Sequence, residues 1–170
     1  KTKKTFIIIV FIIVLIFIYF YNNITNNELK TRNKQLSYLN EFDTYVAIGV
    51  LDDNGNLIDD GNTINMSNNN TVHHTIDLMQ KIDENRDYLL IAMIDFELSP
   101  IKINGKMHNS YLFSTEKVDQ IALDIEIEIP KNSKELTYIV IKNPNFMPEN
   151  FDVGEIISLQ TVLSKRFNLE

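Results

Sequence analysis

The side chains best placed for chemistry in this sequence are carboxylates gathered around one short turn. Asp52-Asp53-Asn54-Gly55-Asn56 is followed by Asp59 and Asp60, and hard cations take oxygen ligands at such spacing. A calcium loop opening at Asp52 requires glycine at its sixth position and a bidentate glutamate at its twelfth. This chain has Leu57 and Thr63 there, so the EF-hand pattern fails. A looser metal site from Asp52, Asp53, Asp59 and Asp60 is a weak candidate, set against a solvated hairpin tip. No motif implies a cofactor.

Two other groups of titratable residues carry less. His73 and His74 are adjacent on an expected strand, where successive side chains point to opposite faces, so they cannot chelate one metal together. His74 is expected as a core or edge residue with one hydrogen-bond partner, and His73 as exposed. His108 is tied to neither by spacing. Asp124, Glu126 and Glu128 form a carboxylate row whose neighbours sit about 6.6 Å apart along one strand and point in parallel. Glycoside hydrolysis needs two carboxylates facing each other across a cleft, so a wet sheet face is the better reading. There is no cysteine, G-x-S-x-G, P-loop or H-E-x-x-H, and no catalytic residue is assigned. The expectation is a protein that is not an enzyme.

The elements that must carry these residues are strands. Tyr45–Leu51 alternates, with Val46, Ile48 and Val50 on one face, and Asn54-Gly55 suggests a type I′ hairpin leading to a short return at Leu57-Ile58. Residues 59–70 read as a polar loop. Thr71–Ile82 places Val72, His74, Ile76 and Leu78 on one face and His73, Thr75, Asp77 and Lys81 on the other. Tyr88–Leu98 is a nearly continuous apolar run, expected as one central strand covered on both faces. Asn104-Gly105 signals a second hairpin, with Tyr111–Phe113 on its return.

Gln120–Pro130 gives the cleanest pattern: Ile121, Leu123, Ile125, Ile127 and Ile129 alternate with polar residues. Leu136–Ile141 is a further strand, apolar on both faces. The tail from Gly154 to Leu169 reads slightly better as a helix, with Ile156, Leu159, Leu163 and Phe167 on one face, than as a closing strand. Short strands with turn signals between them argue for an all-β fold, an antiparallel β-sandwich with an immunoglobulin-like arrangement.

The N-terminus is of a different kind. Lys1, Lys3 and Lys4 precede an apolar run, Phe6–Tyr21, that reaches about 24 Å as a helix, a little short of a hydrocarbon core of about 30 Å. The residues that follow, Asn22-Asn23-Ile24-Thr25, lack the small-residue pair of a signal-peptide cleavage site, which favours a retained anchor. The expected organisation is therefore an N-terminal signal-anchor or transmembrane helix over residues 1–21. A juxtamembrane stalk over 22–41 and an exported β-sandwich domain over 42–170 follow. The three lysines favour a cytoplasmic N-terminus and an outside C-terminal domain.

Charge narrows the partners. Thirteen of the 16 basic and all 23 acidic side chains lie after Tyr21, a surplus of about ten negative charges in that part. Such a surface is repelled by polyanions, so nucleic acid is not an expected partner. The absence of cysteine from an exported domain fits a bacterial envelope protein held by its apolar core alone. The expectation is a single-pass bacterial membrane protein, inserted through Phe6–Tyr21, with a non-catalytic extracytoplasmic interaction module. Its partner would be an envelope protein or wall component. The alternative is an accessory or substrate- or cation-binding subunit of an envelope enzyme or transporter.

Overall fold

Alternation along two eleven-residue strands sets the frame of the first sheet. In the computed structural model, which describes residues 42–64, 66, 69–144 and 162–170, β3 (Thr71–Lys81) pairs antiparallel with β9 (Val118–Glu128) along their whole length. The register sets Val72 beside Ile127, His74 beside Ile125, Ile76 beside Leu123 and Leu78 beside Ile121, so one face of both strands is apolar. On the other side of β3, β1 (Tyr45–Leu51) places Val50 beside Ile76 and Ile48 beside Leu78. Beyond β9 the sheet is completed by β6 (Ile101–Ile103) and β7 (Lys106–His108), giving the order β1-β3-β9-β6-β7. The β6–β7 turn is the hairpin expected from Asn104-Gly105, with φ of 52° and 76°.

The second sheet is built on β4 (Arg86–Ile94) and β10 (Glu135–Lys142), paired antiparallel from Leu136–Ile94 to Lys142–Tyr88. Outside β10 lies β11 (Val162–Leu169), and a two-residue β2 (Thr63–Ile64) adds to it in parallel. Two strands share the far edge of β4. There β5 (Glu97–Ser99) takes Ala92–Ile94, and β8 (Tyr111–Thr115) takes Arg86–Leu90. The chain changes sheets at Pro100, between β5 and β6, where the missing N–H cannot continue a ladder.

The sheets share one core. Tyr88, Leu90 and Ala92 of β4, Leu136, Tyr138 and Val140 of β10, and Phe167 of β11 are buried against Val50, Val72, Ile76, Ile101 and Ile127 of the first sheet. Each such aliphatic or aromatic side chain contributes about 1.5–3 kcal/mol by leaving water. The order β1-β3-β9-β6 facing β11-β10-β4 is the ABED-against-GFC order of the immunoglobulin fold. The described residues therefore form an all-β, immunoglobulin-like sandwich, within a compact unit that begins at Asp43. None of them lies in a helix able to cross a membrane. The expected anchor (1–21) and stalk (22–41) lie outside the described residues.

Several local expectations are corrected. Tyr88–Leu98 is not one strand. Asp95 and Phe96 both take positive φ, 49° and 69°, and turn the chain between β4 and β5. Asp95 Oδ1 accepts hydrogen bonds from the N–H groups of Lys134 and Glu135, at 2.9 and 3.0 Å, and so fastens this turn to β10. Phe96, expected on the core face, is 63% exposed. The return from Asn104-Gly105 is β7, whereas Tyr111–Phe113 belongs to β8 in the other sheet.

The tail is also corrected. Val162–Leu169 is a strand, because seven registered pairs with β10 bury Phe167 beside Leu136, and 154–161 lies outside the described residues. At Asn54-Gly55 only Gly55 has positive φ (76°), so the turn is not type I′, and its return shrinks to a single Leu51–Leu57 bridge. Asp77, expected on a polar face, is fully buried, and both its carboxylate oxygens accept from Gln120 Nε2, at 3.0 and 2.8 Å.

Candidate ligand-binding cavity

Where β1 ends and β3 begins, the chain leaves a cavity of about 430 Å³ at one end of the sandwich. The turn after β1 supplies Asp52 and Asp53, Ile58 and the β2 residue Ile64 supply apolar wall, and β3 supplies Val72, His73 and His74. No lysine or arginine is among its described lining residues.

The deepest polar group is His74. Alternation puts it on the apolar face of β3 between Val72 and Ile76, so it is buried with 6% exposure. Its ring meets those of Tyr138 and Phe167 edge-on, with centroids 5.8 Å from each. Nδ1 lies 3.1 Å from the Tyr138 hydroxyl. That hydroxyl is wholly enclosed, and burial holds its pKa far above the ordinary value, so it keeps its proton. It has no other partner among the described residues, and a buried O–H is costly to leave unbonded. Tyr138 therefore donates to Nδ1, and the single imidazole proton resides on Nε2. Burial also lowers the pKa of His74 to about 4, although Asp53 and Asp52 oppose the shift, so the ring is neutral at pH 7.

Asp52 and Asp53 are used differently. Asp52 Oδ1 accepts from the N–H groups of Asn54 (2.9 Å) and Asn56 (2.8 Å), and Oδ2 from Asn56 Nδ2 (3.1 Å). Partial burial works to raise its pKa, but these hydrogen bonds hold it below the usual value. Its carboxylate is a structural part of the turn. Asp53 is exposed and makes no hydrogen bond or ion pair with any described residue. Asp59 and Asp60 do not line the cavity. Asp60 Oδ1 accepts from the Arg166 N–H at 2.6 Å and ties the loop to β11. Two of the four acidic candidates thus come together at the cavity and two do not. Among the described residues, no group of three or more His, Cys, Asp or Glu is arranged to hold a metal.

His73 also borders the cavity, and the other candidates lie elsewhere. His73 is exposed on the outer face of β3, opposite to His74. On that same outer face Asp124 accepts from Thr75 Oγ1 (2.7 Å), and Glu126 pairs with Lys102 Nζ (3.0 Å). Two of the three carboxylates in the row, Asp124 and Glu126, thus meet partners on neighbouring strands of their own sheet. His108, on β7, stacks edge-on against Tyr111. A second hollow, about 570 Å³, is lined by Arg86, Asp87, Ser114 and Asn143: Ser114 Oγ donates to Asp87 at 2.6 Å, the Asp87 N–H donates to Asn143 Oδ1 at 3.3 Å, and Arg86 pairs with Glu84. Tyr138 escaped the sequence reading as a site residue. Its only signal was a polar tip between Leu136 and Val140 on a core face, matching His74 on β3.

No protein-family model and no curated protein matches the sequence. Solved structures resemble it. A CARDB domain from Pyrococcus furiosus, solved in complex with di-metal ions, aligns over 75% of this chain and 89% of its own, at 6% identity and a TM-score of 0.39. A family 123 glycoside hydrolase from Clostridium perfringens aligns over 74% of this chain but 27% of its own, at 14% identity and a TM-score of 0.41. This chain thus matches about a quarter of that enzyme's length.

Proposed function

We propose that this chain is a membrane-anchored, extracytoplasmic interaction module of a bacterial cell envelope, without catalysis of its own. The observation that carries the reading is the sequence Lys1–Tyr21, in which three lysines precede sixteen uncharged, largely aliphatic residues. An acidic β-sandwich follows it on the chain. The sandwich offers exposed apolar side chains on hairpins and edges, Phe96 on the β4–β5 turn and Met107 on the edge strand β7. Single exposed apolar residues are common, but aromatic ones on rigid turns are the kind that anchor protein contacts. The partner is an envelope protein or a wall polymer.

Placing a photo-crosslinking amino acid at Phe96 or Met107 of the full chain in cells tests this reading. The expected product is a discrete adduct with an envelope component, obtained at these positions and not at Glu128. If all three positions give the same diffuse background, the interaction reading is wrong.

A further inference from the structure

The cavity between the β1 turn and β3 has a polarity from rim to floor. Asp53 stands exposed at the rim as a carboxylate with no partner among the described residues, while its neighbour Asp52 is consumed by the turn. At the floor, His74 commits Nδ1 to Tyr138 and leaves Nε2–H as a buried donor on a residue that lines the cavity. Between them the lining mixes apolar side chains, Ile58, Ile64 and Val72, with polar ones, Asn54, Thr63 and Thr71. Its volume falls within the range of small-molecule sites, about 300–1,000 Å³.

We propose that this cavity binds a small hydroxylated amine, with its ammonium group at Asp53 and a hydrogen-bond acceptor at His74 Nε2–H. A negative rim with no lysine or arginine among its described lining residues attracts a cation and repels an anion. A divalent metal fits less well, because a protonated Nε2 cannot ligate and the Asp52 oxygens are already engaged. A buried N–H gains most from a ligand that brings its own acceptor, and the mixed wall suits a skeleton that carries hydroxyls as well as carbon faces. The proposal needs only the cavity, so it stands or falls independently of anchoring and of the protein partner.

The test compares glucosamine, glucose and glucuronate, three probes of similar size and different charge, against the full chain at pH 6.5. Binding is read by ligand-observed NMR, and its location by the nitrogen signals of the His74 ring. The expected result is that glucosamine binds best, glucuronate does not bind, and the Nε2 signal of His74 moves on titration. Asp53→Asn, at an exposed position that leaves the fold intact, should weaken glucosamine about five- to tenfold. The proposal is overturned if none of the probes binds at millimolar concentration. It is equally overturned if the three bind alike, if Asp53→Asn changes nothing, or if the His74 signals stay still.

Discussion

The two sheets turn opposite kinds of outer face away from their common core. On the first sheet that face carries Thr75, Asp124, Glu126 and Lys102, joined by short polar contacts between neighbouring strands. On the second it carries Leu89, Ile91 and Met93 of β4 and Ile139 and Ile141 of β10, all buried, with Leu98 and Val162 beside them. Strands wet on one side alternate, and strands buried on both sides do not. The comparison shows that strict alternation in β9 and unbroken apolarity in β4 and β10 report different surroundings within one sandwich. It also shows where stability and solvent contact are divided: β4 and β10 are buried on both faces, whereas the outer face of the β3–β9 pair is buried only locally, at Asp77 and Met79.

The largest expected effect tests the apolar face. Ile91→Ala should cost about 2–5 kcal/mol in urea denaturation, as much as Ile76→Ala in the shared core, because both side chains are buried. A cost below about 1 kcal/mol would mean that the outer face of β4 behaves as a wet one. The inner face has its own test, in acid. His74 is held neutral in the fold, with its pKa lowered from 6.5 to about 4, so between these values the unfolded chain binds the proton that the folded chain refuses. Its contribution is complete above about pH 6.5 and lost as pH falls towards 4, a decline of about 3 kcal/mol. Chemical denaturation across that window should show the slope, and His74→Gln should remove it.

Smaller effects compare one hairpin from each sheet. Gly105 takes φ of 76° and an added Cβ would meet nothing within 4 Å, so Gly105→Ala should cost about 1–2 kcal/mol from backbone strain alone. Phe96 takes φ of 69° with a bulky side chain in the same region. Phe96→Gly should therefore raise the melting temperature, by the equivalent of about 1 kcal/mol. Smallest of all is the wet face. A double-mutant cycle on Lys102 and Glu126 should give a coupling below about 1 kcal/mol that shrinks with salt, since both groups are about one-third exposed.

Much of the fold was legible because most strands carry their own period. Alternation alone marked Thr71–Ile82 and Gln120–Pro130 as strands, close to the observed Thr71–Lys81 and Val118–Glu128, and Asn104-Gly105 announced its turn. Failures fell where distant contacts decide. Nothing local marks Asp95-Phe96 as a turn, since its geometry is held by Lys134 and Glu135 some forty residues away. Leu163 and Phe167 suit a helix as well as a strand, and pairing with β10 chooses between them. Asp77 looks solvated in the sequence, and its burial depends on packing that no pattern along β3 encodes. For the cavity, Asp52 and Asp53 and the opposite facing of His73 and His74 were readable. The use of Asp52 by its own turn and the Tyr138 bond that fixes the His74 tautomer were not, because both require three-dimensional neighbours.

Because the chain contains no cysteine, one labelling measurement, read on the purified chain after labelling, tests the central account without background from its own thiols. Asp124→Cys and Ile91→Cys variants of the full chain would be treated, on intact bacterial cells, with a membrane-impermeant maleimide. The account predicts that Cys at 124 is labelled within minutes from outside, and that Cys at 91 reacts only after denaturation. Labelling of the 124 variant only after the cells are broken would contradict the exported, anchored domain.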